Sequence, residues 1–324
     1  MGMEQRISSF DIKALVSEMV KEIIGAYLDK VQQVGPELFK FSFSSKTGKK
    51  DLLIEIGKRF NLTSYSIKAP EKPSQLSIVL RKYLENKKLE KIDQHEFDRV
   101  VVMDFSEHSL VLEFFSHGNM LLVDKENKIV LNFRSEEWKD RKLKKGEGYR
   151  FPKAGLNPYS ITLDEFKEIF TEKDAVRGLA KGLSFGGDYA EEICHKAGID
   201  KNKEKLTGEE KERLFNAMRQ ILFSKIGPVM QNNQLFPFPL SKFDIQKSYN
   251  TMNVAVDEFY LREQEESPKL KKLRKRLDEQ TNALQRFEKE ILENKEKGDL
   301  IYKSYTDIER MLDKKKGKFV AELD

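Results

Sequence analysis

Four runs of six residues, VVVMDF (100–105), LVLEFF (110–115), NMLLVD (119–124) and KIVLNF (128–133), follow one another almost without interruption. Each is dominated by Val, Leu, Phe and Met and is too short for a core helix, so each reads as a strand. Ser106-Glu107-His108, Gly118 and Lys125-Glu126-Asn127 sit between them as turns. Links this short join only antiparallel neighbours. The predicted unit is therefore a meander, and the expected architecture is a sandwich or open barrel. LFKFSF (38–43), LLIEI (52–56) and RFNLT (59–63) add further short β segments upstream. A helix precedes them: Ser8 stands three residues ahead of Asp11, as an N-cap does, and Ile12, Leu15, Val16, Met19, Val20 and Ile23 follow at helical spacing. Residues 74–88 read as a second helix, entered from the proline loop APEKPS. This β-rich domain is assigned residues 3–155.

From residue 162 the period changes. TLDEFKEIF opens with Thr162 as a predicted N-cap and Asp164 and Glu165 in the first turn. VRGLAKGL, the glycine turn SFGG (184–187), DYAEEICHKAG (188–198) and TGEEKERLFNAMRQILFSKIG (207–227) continue in helical register. Residues 156–267 are expected to form an all-α domain, irregular from 228 until a short helix near 253–261. From Pro268 to residue 324 the chain is dense in charge. Leu270, Leu273, Leu277, Gln280, Leu284, Phe287 and Ile291 recur three and four apart, and the register runs on through Asn294, Gly298, Ile301, Tyr305, Ile308 and Leu312. That is a coiled-coil seam, and a single helix bearing one needs a partner. None follows before Asp324. The expectation is an N-terminal piece of a longer protein, cut within a coiled-coil arm (268–324) and able to self-associate through it. The fold class expected is α+β.

Charge argues for local patches rather than a strongly basic surface. Charged residues make up 35% of 324, yet the net charge is only +5. One cysteine, Cys194, excludes an intramolecular disulfide and a cysteine-rich zinc site, and suits a reducing cytosol, so the expected location is cytoplasmic. No apolar stretch approaches the length of a membrane span, so no membrane partner is expected. The opening MGMEQRISSFDI lacks a signal-peptide core; Met1-Gly2 reads as a cloning remnant ahead of a natural start at Met3.

No catalytic constellation is visible. His95, His108, His117 and His195 are scattered, neither a P-loop nor a nucleophile elbow occurs, and Glu191-Glu192 reads as a solvated helix face. No cofactor or metal is expected. Basic clusters are better represented: Arg81 and Lys82 with Lys87, Lys88 and Lys91; Lys139, Arg141, Lys142, Lys144 and Lys145; and Lys269 to Arg276. Each could neutralise phosphates, and each reads at least as well as a solvated surface. SFGG precedes a helix whose free N–H groups suit a phosphate, but Asp188 at its start would repel one.

The segment QHEFDRVVVMDF (94–105) places Asp98 and Arg99 side by side at the entrance to an apolar run. If both lay within the strand they would point to opposite faces. The inward one would need a partner, with Asp11 or Arg6 as candidates. Two readings stand level: a buried ion-pair clamp between helix and sheet, or a site facing a partner.

Taken in order, QRISSFDIKALVSEM, LLIEIGKRFNLT, PEKPSQLSIVLRKYL, QHEFDRVVVMDF and LVLEFFSHGNMLLVD resemble the N-terminal domain of the NFACT family, which includes RqcH and NEMF. GLSFGGDYAEEICHKAGID resembles that family's helix–hairpin–helix domain, and the seam from Pro268 its coiled-coil arm. The resemblance implies an antiparallel β-sandwich like the N-terminal domain of Fpg/MutM glycosylases, then the helical domain and the arm. It also implies a non-catalytic quality-control factor. Such a factor binds a large ribosomal subunit obstructed by peptidyl-tRNA and recruits aminoacyl-tRNA for template-free C-terminal tailing, while the ribosome makes the bonds. The family residues tied to tailing and tRNA recruitment fall on Asp11, Asp98 and Arg99 of this sequence; Arg81, Lys82, Lys87, Lys88, Lys142, Lys144 and Lys145 of the basic clusters are candidate RNA-phosphate contacts on their charge alone. The family's middle and C-terminal parts lie beyond residue 324, so weaker ribosome binding is expected of this chain. Two alternatives compete. A DNA glycosylase of the Fpg/MutM kind would need an N-terminal proline amine and usually four zinc-binding cysteines, which this sequence lacks. A coiled-coil adaptor would make no RNA contact.

Overall fold

In the computed structural model, residues 7–303 are described apart from 139, 154, 171–173, 184, 266 and 267, together with 305 and 309. Ser8 starts the first helix, α1 (Ser9–Ile23), through a reciprocal cap. Its hydroxyl accepts from the Asp11 N–H at 3.1 Å, and the Asp11 carboxylate accepts from the Ser8 N–H at 2.7 Å. Ile12, Leu15, Met19 and Ile23 lie on one face of α1 and are fully buried. Gly25, with φ +81°, turns the chain out of the helix.

Four antiparallel strands follow in sheet order, β1 (Tyr27–Gln33), β2 (Leu38–Ser45), β3 (Gly48–Glu55) and β4 (Arg59–Thr63). Helix α2 (Gln75–Leu84), capped by Ser74, lies beside β1. The second sheet is a five-stranded meander: β5 (Lys91–Gln94), β6 (Val100–Phe105), β7 (His108–Glu113), β8 (Asn119–Asp124) and β9 (Ile129–Asn132). Inward residues of both sheets share one core. Phe43 stacks on Phe105 at 6.4 Å, and Phe60 meets Phe114 at 6.2 Å. The other face of the meander is covered too. Val100, Val111, Leu121 and Val123 pack beneath Leu143 of the hairpin β10 (Glu136–Glu137)–β11 (Lys142–Leu143) and beneath Tyr149. Burial on both faces explains why these runs are continuously apolar. Gly57 and Gly118, in turns of the two sheets, approach so closely that a Cβ on Gly118 would lie 2.3 Å from the Gly57 Cα.

A second core is built by α3 (Leu163–Glu168), α4 (Ala175–Gly182), α5 (Gly187–Ala197) and α6 (Gly208–Leu222) around Phe166, Leu179, Ile193, Leu214 and Met218. Thr162 caps α3 as predicted. Helix α6 stops at Leu222 rather than 227. The expectation of an all-α stretch over 156–267 needs correction. Residues read as irregular form a small antiparallel sheet, β12 (Val229–Gln231), β13 (Gln234–Phe236) and β14 (Ile245–Ser248). Asn232 and Asn233 both have positive φ, the signature of a two-residue hairpin turn. Val229 and Phe236 sit in the helical core and Leu235 in the sandwich core, so this sheet joins the two.

Helix α7 (Met252–Glu265) sends Met252, Ala255, Val256 and Tyr260 into the sandwich core. Its first N–H groups are capped from a distance: Glu18 of α1 accepts from the Met252 N–H at 2.6 Å and the Asn253 N–H at 2.9 Å. In return, Asn253 accepts from the Leu62 N–H at 2.7 Å and Asp257 from the Ser64 N–H at 3.0 Å. These bonds satisfy the outer edge of β4, where a lone strand edge would stay open.

Residues 5–262 form one unit and residues from 263 onward belong to another. In the latter, α8 (Pro268–Lys303) is a single helix on which Leu277, Leu284, Phe287, Ile291 and Ile301 are at least half exposed. The seam positions Ile308 and Leu312, and the side chains of Leu270 and Leu273, lie outside the described residues. Among the described residues no helix is long and apolar enough to cross a membrane.

Candidate functional site

Strand β6 begins at Val100, so Asp98 and Arg99 occupy the β5–β6 turn and are not divided between two faces of the sheet. The turn is closed by the His95 N–H donating to the Val100 carbonyl at 2.9 Å and the Asp98 N–H donating to the His95 carbonyl at 3.0 Å. Both charged residues are half-buried. The Asp98 carboxylate accepts from the Arg99 N–H at 2.7 Å.

Gln94 ties this turn to α1. Its amide nitrogen donates to the Ser9 carbonyl and to the Asp98 carbonyl, both at 2.9 Å. Next to it, Phe97 meets Phe10 edge-on at 4.9 Å. Phe10 in turn packs against Phe185 and Tyr189 of the helical part and against Phe238, at 5.4, 4.4 and 5.5 Å. Three segments remote in sequence therefore brace one turn. Sequence reasoning missed Gln94, Phe10 and Phe97. Their only signal was two uncharged side chains flanking the acid–base pair, and the aromatic that precedes Asp11.

Asp11 is brought to this place but not to its surface. Its side chain is 2% exposed and works in the cap. Burial pushes its carboxyl up to about 7, partly opposed by hydrogen bonds from Ser8. One of its oxygens, Oδ1, has no hydrogen-bond partner. Ser8 also donates to the Tyr189 hydroxyl at 3.4 Å, and burial drives that phenol's pKa upward. The clamp to Asp11 is not formed. Among the described residues neither Asp11 nor Asp98 pairs with a cation, and Arg6 lies outside them. Beside the turn, His95 stacks on Phe151 at 3.6 Å, and the Asn157 amide donates to Glu96 at 2.7 Å.

The basic candidates differ in availability. Lys142 and Lys144 both pair with Glu137, at 2.9 and 2.7 Å, and hold its carboxyl at about 2. Arg141 is spent in a bidentate pair with buried Glu113 at 2.7 and 2.9 Å. Lys145 is exposed, as are Lys87 and Lys88 beyond the left-handed Asn86, while Lys82 lies over the Tyr83 ring. At the start of α5, Asp188 is paired with Lys242 at 2.8 Å. Lys139, Ser184 and the side chains of Lys269 to Lys275 lie outside the described residues. No group of three or more His, Cys, Asp or Glu among the described residues is placed to hold a metal.

A sandwich braced against a short helical segment, with a buried cap beside an acid–base turn, defines a recognisable class of architecture. The family model described as NFACT N-terminal and middle domains matches residues 8–314, and the chain belongs to the NFACT family. It is 33% identical to an archaeal Rqc2 homolog, aRqcH, of Methanocaldococcus jannaschii, over 96% of this chain and 52% of that protein. It is 24% identical to the Rqc2 homolog RqcH of Streptococcus pneumoniae, over 90% of this chain and 57% of that one. With the human ribosome quality control complex subunit NEMF it shares 22% identity, over 99% of this chain and 35% of NEMF. The chain spans about half the length, or less, of these curated relatives. Among solved structures, the N-terminal part of the fibronectin/fibrinogen-binding protein from Streptococcus suis superposes with a TM-score of 0.68 at 21% identity, covering 79% of this chain and 99% of that one. The fibrinogen binding protein from Staphylococcus aureus gives 0.65 at 22%, covering 78% and 98%. These likenesses show the fold.

Proposed function

We propose that this chain acts in cytoplasmic ribosome-associated quality control. It binds a large ribosomal subunit obstructed by peptidyl-tRNA and recruits aminoacyl-tRNA for template-free extension of the stalled chain. The ribosome makes each peptide bond, so the reading asks no catalysis of this protein. The names of the relatives support the setting. The observation that carries the site is the Asp98–Arg99 turn: a half-buried guanidinium and carboxylate on a loop braced by Gln94 and by the Phe10–Phe97 contact. A guanidinium on a braced turn suits a phosphate or a base edge, where orientation matters as much as charge. Asp11 serves in this reading as a positioning residue, since its buried side chain shapes the first turn of α1 against which the loop rests.

Asp98→Ala combined with Arg99→Ala is expected to weaken tRNA binding at least tenfold in fluorescence anisotropy, with an unchanged melting curve. Unchanged binding by an equally cooperative variant would remove the site. A collapse of thermal stability would return the pair to a structural role. A duplex with an abasic site serves as the competing ligand, and preference for it would favour the glycosylase alternative.

A further inference from the structure

A notch of about 90 Å³ opens between β1, the proline loop and α2. Its polar walls are Lys30, Gln32 and Gln33 of β1, Glu71 of the loop, and Ser77 and Arg81 of α2. The volume is several times what one ordered water needs. Arg81 is prepared in an unusual way. Its Nε donates to the Val31 carbonyl on the outer edge of β1 at 2.6 Å, which pins one side of the guanidinium. Among the described residues its terminal nitrogens make no hydrogen bond and it forms no ion pair; nor does Lys30. The contrast is with Lys142, Lys144 and Arg141, whose charges are already matched by Glu137 and Glu113. A guanidinium held at Nε keeps its other donors in a set plane, so little entropy is lost when an oxyanion arrives. Glu71 is the one acid on the walls, and it is exposed. Two cations against one carboxylate leave the notch positive, and α2 has no acidic residue in its first turn to offset this.

We propose that this notch binds a backbone phosphate of RNA, with Arg81 as its fixed donor and Lys30 as the second cation. The proposal rests on the RNA-binding reading above and places a contact on β1 and α2, elements that contribute no residue to the Asp98–Arg99 turn. Gln32, whose side chain makes no hydrogen bond among the described residues, supplies a neutral donor beside the cations.

The test uses the whole 324-residue chain and labelled tRNA across a salt series, with Arg81→Gln, Lys30→Gln, Glu71→Gln and the Asp98→Ala/Arg99→Ala double variant in parallel. Arg81→Gln and Lys30→Gln are each expected to weaken binding severalfold and to reduce the log–log salt slope by about one. Glu71→Gln is expected to strengthen binding by removing the opposing charge. Lys30 and Glu71 are exposed, so their variants remain informative if Arg81→Gln disturbs α2. Wild-type slope and affinity in both exposed-site variants would overturn the notch. If the double variant alone weakens binding, the notch fails and the function stands; if the notch variants alone do so, the assignment to the turn fails. Polyglutamate is the control ligand. Variants that lose it while keeping tRNA would point to an acidic protein partner and overturn the proposal, and so would a wild-type chain that binds no tRNA at low salt.

Discussion

Asp11 ionises near 3.8 when exposed and at about 7 in the folded protein. Between those values the folded state holds a proton that the unfolded state has lost. The group's contribution to stability is therefore full below about 4 and drains away as pH rises through 7. At roughly 1.4 kcal/mol per pH unit the window is worth up to about 4 kcal/mol. Asp11→Asn keeps an oxygen to accept from the Ser8 N–H and has no proton to lose. Urea denaturation is expected to show the variant gaining on the wild type between pH 5 and pH 8; a difference independent of pH would show that Asp11 titrates normally. At this scale the cap was legible in the sequence, because Ser8 and Asp11 stand at the spacing the motif requires. The buried state of Asp11 was not legible, since the start of α1 is packed by residues far along the chain, such as Tyr189 against Phe10 and Ser8. The placement of Asp98 and Arg99 hung on where β6 begins, and strand ends carry little pattern. Gln94 bridges two backbones, and no periodicity announces such a residue.

Among the elements, β6 to β8 could be read directly, because burial on both faces makes them nearly continuous apolar runs, and so could β9, which is apolar at three of its four positions though mostly half-buried. β1 and β5 could not: YLDKVQQ buries two side chains and KIDQ only one. The β12–β13 hairpin had a signal in Asn232-Asn233, two residues that tolerate positive φ. Where elements meet, two substitutions test the packing. Gly118→Ala forces a Cβ into the Gly57 backbone and is expected to cost at least about 3 kcal/mol in urea denaturation. Gly146 also has positive φ but has nothing within 4 Å of its Cβ direction, so Gly146→Ala should cost only about 1–2 kcal/mol of backbone strain. Equal losses at both sites would mean the sheets can part to admit a methyl group. Glu18→Ala removes the remote cap of α7 and is expected to cost about 1–2 kcal/mol. Faster amide exchange at Met252 and Asn253 would localise that loss, and unchanged exchange there would refute it.

At the scale of the molecule, the sandwich core and the helical core lie within residues 5–262, while the exposed apolar seam lies on α8. A chain ending at residue 262 is expected to keep the cooperative melt of the longer one and to lose any concentration-dependent association. Light scattering and calorimetry on both lengths check this together. A lower or broadened transition in the shorter chain would show that residues beyond 262 support the fold.

α1 serves two neighbours at once. Near its start Ser9 and Phe10 brace the Asp98–Arg99 turn, and farther along Glu18 holds the first amides of α7, whose own Asn253 and Asp257 grip the edge of β4. In mechanical terms α7 is a post set in a socket. Glu18, Asn253 and Asp257 thus fasten α1, α7 and β4 to one another through side chains, and α1 is shared between that joint and the acid–base turn.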